Sequence, residues 1–244
     1  IMLAHTDIAR KHLSLCPLSA RQLIEQMGIS QPTLSRVIAE LGAEIVRIGA
    51  ARSIQYAQRD NLRGLPEIPV YQIDSSGRIA PLGTLIPVRP DGFVMRWQNR
   101  AAQHSDGLPW WLFDMRPQGY LGRAYAARYG ATLGLPQRLS DWNDTHALRG
   151  LLAHGHDVIG NLLLGDMARD HFLAAPLPEA ITGTHKAERY AQLALAATHG
   201  EMPGSSAGGE QPKFTAYAVS SGEARHVIVK FSEPEESTVS ERWR

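Results

Sequence analysis

The chain has 244 residues, of which 43% are hydrophobic and 20% are charged, and this composition predicts a globular protein with a sizeable buried core. Its formal net charge of +1 excludes a general binder of polyanions, so any contact with nucleic acid must come from a local patch. The single cysteine, Cys16, excludes an internal disulfide and fits the reducing cytoplasm, where we expect the protein to act. The most apolar later stretch, residues 159–165, is far shorter than the roughly 18 residues that span a membrane, so we expect no membrane partner.

Residues 1–64 carry the start and stop signals of short helices. We expect a first helix over about residues 5–15. Ser19 and Gln22 then match a capping box, in which the serine hydroxyl and the glutamine side chain each satisfy a backbone N–H at the start of a helix. Gly28 ends this second helix, because glycine readily adopts the left-handed backbone that closes a helix.

A third helix and a hairpin are predicted next. Ser30 can cap a helix over residues 31–41, in which apolar side chains recur every three to four positions. Residues 45–48 and 53–56 alternate between apolar and other side chains, which indicates the two strands of a hairpin. Two short helices followed by a hairpin are typical of the winged helix-turn-helix, a module that binds duplex DNA.

The third helix would lie in the major groove with its solvent face toward the bases. Gln31 and Arg36 are long enough to reach base edges, the hydroxyl side chains beside them can bind phosphates, and Arg52 at the hairpin tip would lie on the DNA backbone or in the minor groove. An ordinary helix pair with a solvated Arg36 is the alternative. Because such modules usually bind as pairs, we also consider a homodimer. The predicted DNA-binding residues are Ser30, Gln31, Thr33, Ser35, Arg36 and Arg52.

From residue 65 onward, short strands and turns mix with helices, so the whole chain is assigned to the α+β class. Residues 61–69 have the glycine and proline content of a linker, and the aromatic stretch 108–113 is expected to be buried. The predicted strands cover residues 70–73, 83–88, 93–97, 213–219 and 226–231, and the predicted helices cover residues 121–129, 142–153 and 186–198.

A loop of small residues, 204–209, lies just before the strand that begins at Lys213. Small residues leave backbone N–H groups uncovered, as a loop that holds phosphates requires. The loop matches neither the Walker A pattern nor the dinucleotide-binding pattern. The next strand carries Lys230 near its end, and a loop followed by a strand lysine is the order of protein kinases, in which the lysine holds the α- and β-phosphates. Taken alone, a run of glycine and serine is more often a mobile hairpin, and a lysine at a strand end is more often simply solvated.

Residues 205–213, Ser-Ser-Ala-Gly-Gly-Glu-Gln-Pro-Lys, resemble the nucleotide-loop signature of the HipA-like serine/threonine kinases, the toxins of a bacterial toxin–antitoxin system. Residues 227–230, Val-Ile-Val-Lys, are similar to the strand that carries the ATP lysine in that family. Residues 83–85, 115–121 and 157–162 also match its N-terminal subdomain. A fused helix-turn-helix resembles the HipH (YjjJ) type, which carries its own DNA-binding domain.

The resemblance implies a kinase that uses ATP and Mg²⁺ to phosphorylate a protein substrate. Lys230 takes the role of the lysine on the ATP phosphates, and Glu241 is the glutamate that could pair with it. Ser205 or Ser206 occupies the position where family members autophosphorylate, an event that ejects the loop and switches the kinase off. The residues implied at the nucleotide are Ser206, Ala207, Gly208, Gly209, Glu210, Gln211 and Lys230.

The expected organisation is a winged helix-turn-helix over residues 1–64, followed over residues 65–244 by the N-terminal subdomain and incomplete ATP-binding lobe of a HipA-like kinase. The family's catalytic Asp, a nearby Asn and a metal-binding Asp lie in a later helical lobe, and residues 231–244 do not supply them. We therefore expect no catalytic residue, no metal site and no kinase activity in this chain alone. The alternatives are a transcriptional regulator with a ligand-sensing or protein-binding C-terminal part, and a degenerate kinase fold that only contacts proteins.

Overall fold

The computed structural model describes residues 2–50, 53–176, 178–200 and 209–232. These residues form an α+β fold, as predicted, and the chain divides into two compact units. Unit 1 comprises residues 1–110 and 162–165, and unit 2 comprises residues 111–161 and 166–244. Within the described ranges, none of the helices combines the length and the hydropathy that crossing a bilayer requires.

Unit 1 begins with the helices α1 (Met2–Leu13), α2 (Ala20–Met27) and α3 (Gln31–Leu41). The capping box at the start of α2 is confirmed: the Ser19 hydroxyl accepts from the Gln22 N–H, and the Gln22 side chain accepts from the Ser19 N–H at 2.8 Å. Ser30 caps α3 by accepting from the Thr33 N–H. The buried side chains between these helices are Ala9, Leu13, Leu18, Leu23, Leu34, Val37 and Leu41.

A small antiparallel sheet with the strand order β1-β3-β2 accompanies these helices among the described residues. Its strands are β1 (Leu18–Ser19), β2 (Ile45–Ile48) and β3 (Gln55–Gln58). The two hairpin strands are confirmed, but the second begins at Gln55 rather than at residue 53. Ala57 is fully buried and faces the core, so the alternation of buried and partly exposed side chains extends to Gln58.

The larger sheet of unit 1 has the strand order β7-β6-β5-β4-β8 and is antiparallel throughout. The predicted strands 70–73, 83–88 and 93–97 lie within its three central strands. The strands are β4 (Ile68–Ile73), β5 (Ile79–Val88), β6 (Gly92–Trp97), β7 (Gln103–Ser105) and β8 (Leu162–Leu164).

The small and large sheets share one hydrophobic core, formed by Val46, Ile48, Ala57, Ile86, Val88 and Val94. Residues 61–69, expected to be a linker, are anchored at their start by a buried ion pair between Arg63 and the preceding Asp60. The Arg63 guanidinium donates to Asp60 at 2.5 Å, and it also donates to the Val88 and Gly92 carbonyls at 3.0 and 2.7 Å. We call these contacts the Asp60–Arg63 clamp. The segment is therefore packed rather than extended through solvent.

In unit 2, the described helices come before the last hairpin in sequence. Helix α5 begins at Asp144 rather than at residue 142, because Asn143 caps it. The core of unit 2 includes Tyr125, whose hydroxyl donates to the Gly150 carbonyl at 2.9 Å. The described helices here are α4 (Gly119–Tyr129), α5 (Asp144–His154), α6 (Gly165–Ala174) and α7 (Lys186–Thr198), and the hairpin strands are β9 (Lys213–Ser220) and β10 (Glu223–Lys230).

The aromatic stretch 108–113 is buried only in part, so the prediction that it is buried is wrong for Trp110 and Phe113. Leu112 is fully buried, but Trp110 is 75% exposed and Phe113 is 44% exposed. The stretch enters a 3-10 helix over Trp110–Met115. With about three residues per turn, consecutive side chains point in different directions, so they cannot all face one core.

Candidate functional site

The β9–β10 hairpin brings two lysines together at its open end. In the antiparallel register, Lys213 lies directly opposite Lys230. Lys213 is only 2% exposed, whereas Lys230 is exposed to solvent. The end of the hairpin nearest the glycine-rich loop therefore carries two positive charges in very different surroundings.

The Gly209 carbonyl, at the end of the glycine-rich loop, is held by two donors. The Lys213 ammonium donates to it at 2.8 Å, and the Tyr120 N–H donates to it at 3.1 Å. Burial, and after it the charge of Lys230, lowers the pKa of Lys213. This lysine thus fixes the loop to the hairpin from a largely desolvated position.

The start of α4 approaches the same carbonyl so closely that it requires a glycine. Gly119 has a φ of +63°, and a Cβ built on it would lie 2.5 Å from the Gly209 oxygen and 2.8 Å from the Gly209 nitrogen. Any side chain at this position would push the loop away from α4. Gly119 and Lys213 therefore define where the loop enters β9.

Glu210 connects the loop to a neighbouring cavity of about 640 Å³ in unit 2. Its carboxylate accepts from Arg123 at 2.5 Å, and both side chains line the cavity. Arg116, Arg138 and the indole of Trp142 lie in the same wall. Each of the three guanidinium groups is paired with a carboxylate, Arg116 with Asp144, Arg123 with Glu210 and Arg138 with Asp141, so the wall is polar but largely charge-compensated.

The structure brings together Gly209, Glu210, Gln211 and Lys230 of the predicted nucleotide residues, at the loop end and the hairpin. Lys213 was not among the residues predicted at the nucleotide, although it ends the loop signature 205–213 and lysine occurs only at positions 11, 186, 213 and 230. The scarcity of lysine was the signal for it. Ser205, Ser206, Ala207, Gly208, Glu241 and Arg52 lie outside the described residues, and their roles stay predictions.

The solvent face of α3 carries the predicted DNA contacts. Gln31, Ser35 and Arg36 are exposed, and Leu34 and Val37 on the opposite face are buried. The Ser35 hydroxyl donates to the Gln31 carbonyl at 3.1 Å, so its hydrogen is used within the helix.

At the start of α3, the hydroxyls of Ser30 and Thr33 form a hydrogen bond with each other, with 2.9 Å between the oxygens. Only one of these two hydroxyls donates in that contact. The long polar side chains exposed on α3 are Gln31, Arg36 and Glu40, of which Gln31 and Arg36 are the predicted DNA contacts.

A group of histidines lies near the end of α5. The ring of His154 stacks on Tyr129 with 4.0 Å between centroids, and His156 meets His171 edge-to-face at 5.3 Å. Burial, and after it the neighbouring positive groups, lowers the pKa of both His154 and His156. Among the described residues, no group of three or more histidine, cysteine or acidic side chains is arranged to hold a metal ion.

Comparison with known proteins gives two matches. Residues 65–173 match the family model described as "YjjJ-like toxin, middle domain". The chain is also 38% identical over 228 residues to the protein named Toxin YjjJ from Escherichia coli (strain K12), and this alignment covers 93% of the chain and 51% of that protein. The chain thus spans about half the length of the curated relative it matches. No solved structure matches the chain at a significant level. Residues 65–173 are therefore similar to the middle domain of the YjjJ-like toxins.

Proposed function

We propose that this chain is the N-terminal part of a toxin that acts as a HipA-like serine/threonine kinase and carries its own winged helix-turn-helix. The observation that carries the proposal is the 38% identity over 228 residues to a protein named as a toxin. The resemblance of residues 205–213 and 227–230 to the kinase loop and lysine strand adds the chemistry. The activity belongs to the complete protein, because the residues implied as catalytic are not in this chain.

ATP is proposed to bind at the open end of the β9–β10 hairpin. The exposed ammonium of Lys230 would meet the α- and β-phosphates, since a strand lysine has this role in kinases. Backbone N–H groups of residues 206–211 would hold the phosphates, and Mg²⁺ would enter with ATP. The contacts of Lys213 and Tyr120 with the Gly209 carbonyl support this proposal, because a phosphate loop must be fixed at its ends to keep its N–H groups aligned.

DNA is proposed to bind along α3. The exposed side chains of Gln31 and Arg36 support major-groove contacts, since glutamine and arginine form bidentate bonds with adenine and guanine edges. Arg52 is proposed to add a backbone or minor-groove contact from the hairpin tip. Binding by such a module would let the toxin recognise duplex DNA without a separate DNA-binding partner.

Phosphorylation of Ser205 or Ser206 is proposed to switch the kinase off. A phosphate adds a charge of about −1.5 to −2 at neutral pH. A loop with that charge could not hold the phosphates of ATP in the same place, because like charges would lie within a few ångströms.

The proposal is tested with the complete protein that contains this chain, as the native form and as Lys230→Ala. We expect the native protein to arrest bacterial growth on induction and to transfer labelled phosphate from ATP to a protein, and Lys230→Ala to do neither. Lys186→Ala, which removes a lysine on α7, should behave as the native protein. Growth arrest by Lys230→Ala equal to that of the native protein would contradict the kinase assignment and favour a regulator that acts through DNA alone.

A further inference from the structure

A second cavity, in unit 1, has walls with a concentration of positive charge. Its volume is about 390 Å³, and it lies where the ends of α1, β3 and β5 meet. Arg10, Lys11, Arg59 and Arg89 line it, and no acidic residue does so among the residues that the structure describes. Four cationic side chains therefore surround one cavity, and carboxylates outside its lining, those of Asp7, Glu44 and Glu67, pair with Arg10 and Arg59.

Hydrogen bonds hold the walls of this cavity in place. The Arg89 N–H donates to the Gln58 carbonyl at 2.8 Å, and the Arg59 N–H donates to the Glu44 carbonyl at 2.8 Å. The Arg10 guanidinium contacts both carboxylate oxygens of Glu44, at 2.7 and 2.9 Å. The guanidinium of Arg59 is paired with Glu67, so Arg10 and Arg59 are both held by carboxylates before any ligand arrives.

The other cations and one buried donor, the Arg59 Nε–H, point to an anionic ligand. Within the described ranges, neither Lys11 nor Arg89 takes part in a salt bridge. In the same ranges, the Nε–H of Arg59 is a buried donor without an acceptor, and the Oε1 of Gln58 is a buried acceptor that a water could serve but an anion could not. Buried polar groups that lack a protein partner are commonly satisfied by a bound water or ion.

We infer that this cavity binds a small molecule that carries a phosphate group. Lys11 and Arg89 hold the phosphate, and Arg10 and Arg59 flank it. Phosphate suits these residues because its oxygens accept several charge-assisted hydrogen bonds and match the fork of a guanidinium group. The side chain of Leu62, which is 80% exposed at the rim, is available to contact the rest of the molecule.

The hairpin of unit 1 separates this cavity from the predicted DNA contacts, which favours a free ligand over a DNA backbone phosphate. Gln58 pairs with Ile45, and Gln55 pairs with Ile48, so the cavity lies at the end of the strands opposite the tip. At a rise of about 3.3 Å per residue, these two ends are roughly 10 Å apart. A duplex contacted by the hairpin tip would meet the other end of these strands.

Isothermal titration calorimetry of the 244-residue chain with pyrophosphate, at constant ionic strength, tests the inference. We expect the native chain to bind pyrophosphate, and the double variant Lys11→Ala/Arg89→Ala to bind at least about tenfold more weakly, because two charge-assisted contacts are lost. Arg96→Ala removes an exposed arginine of β6 that does not line the cavity and should bind as the native chain. Thermal unfolding without pyrophosphate checks that each variant is folded.

Three outcomes would overturn the inference. The first is equal affinity of the double variant and the native chain, or no binding at millimolar pyrophosphate. The second is loss of binding in Lys230→Ala while the double variant binds normally, since the ligand would then lie at the glycine-rich loop. The third is displacement of pyrophosphate by a short random duplex, with DNA binding lost in the double variant, since the cavity would then belong to the DNA surface. The first and third outcomes do not bear on the kinase assignment, and the second would support the ATP site proposed at Lys230.

Discussion

Lys213 and Lys230 face each other across the β9–β10 pair, yet only Lys213 is buried. Like charges at directly opposed positions are destabilising, so each needs a compensating contact. Lys213 obtains it from the Gly209 carbonyl at 2.8 Å, and Lys230 obtains it from solvent. The two lysines are thereby suited to different tasks: one holds the loop, and the other keeps its charge available at the surface.

This difference predicts that the two alanine variants affect different properties, the stability in one case and ATP binding in the other. Lys213→Ala should lower the free energy of unfolding by about 1–3 kcal/mol, because it removes a buried hydrogen bond and the packing of the lysine stem. Lys230→Ala should change it by no more than about 0.5 kcal/mol but should weaken ATP binding. Urea denaturation followed by circular dichroism measures the first effect, and nucleotide titration measures the second. Equal loss of stability in both variants would contradict this division.

The contact between Gly119 and Gly209 predicts a steric effect that can be separated from backbone strain. Gly119 and Gly134 have nearly the same φ, +63° and +64°, but a Cβ at Gly134 would meet nothing within 4 Å. Gly119→Ala should therefore lower the free energy of unfolding by about 1–3 kcal/mol more than Gly134→Ala does. Denaturation midpoints of the two variants give the comparison, and indistinguishable midpoints would show that the loop yields without cost.

The Asp60–Arg63 clamp predicts a large loss of stability on removal of its cation. The Asp60 side chain is fully buried, and Arg63→Met would leave its carboxylate without its guanidinium partner. We expect a loss of about 3–5 kcal/mol. Arg78→Met removes an exposed arginine from its pair with Asp74 and should cost less than about 1 kcal/mol. Similar losses in the two variants, measured by chemical denaturation, would be inconsistent with a buried pair.

The clamp also makes the free energy of unfolding depend on pH in the acidic range. Burial acts to raise the pKa of Asp60, but hydrogen bonds from the Leu62 N–H and from Arg63 outweigh burial and hold the pKa below its usual value. The ionised form is thus favoured in the folded state. The resulting stability is present above the ordinary aspartate pKa and is lost as the pH falls below it.

The histidines near the end of α5 predict a loss of stability that begins at higher pH. Because the pKa values of His154 and His156 are lowered in the folded state, the unfolded chain binds protons first as the pH falls. Stability should therefore fall as the pH drops below the ordinary histidine value of about 6.5.

Thermal unfolding from pH 7.5 to pH 5 measures this effect, and His154→Gln/His156→Gln should reduce the slope. The slope should not vanish, because burial also lowers the pKa of His104. His199→Gln, which replaces an exposed histidine, serves as the control. An unchanged slope in the double variant would exclude these two groups as its source.

DNA binding is expected to depend on Arg36 and on Arg52. Arg36→Ala should weaken binding to a duplex selected by the native chain from a random library, by about 1–3 kcal/mol if the side chain contacts a base. Arg52→Ala should have an effect of similar size. Arg100→Ala, which removes another exposed arginine of unit 1, should leave the affinity unchanged. Unchanged affinity of Arg36→Ala/Arg52→Ala in fluorescence anisotropy at physiological salt would contradict the predicted interface.

Local signals in the sequence located most helices and strands. Ser19, Ser30 and Gly28 mark helix ends through side chains and backbone within a few residues, so the sequence alone reveals them. Strand β8 could not be found in this way, because it joins β4 from about ninety residues further along the chain. The burial of Lys213 likewise depends on α4 and on the Gly209 carbonyl, which no spacing pattern near the lysine encodes.

The Asp60–Arg63 clamp has a consequence for how such proteins can be recombined. A gene rearrangement that exchanged residues 1–60 for another helical module would leave Arg63 facing the Val88 and Gly92 carbonyls without its carboxylate. It would also remove the Gln58 carbonyl that receives the Arg89 N–H. We therefore expect the helices and the large sheet of unit 1 to be inherited together, and chimaeras joined at residue 60 to fold poorly unless both partners come from one parent.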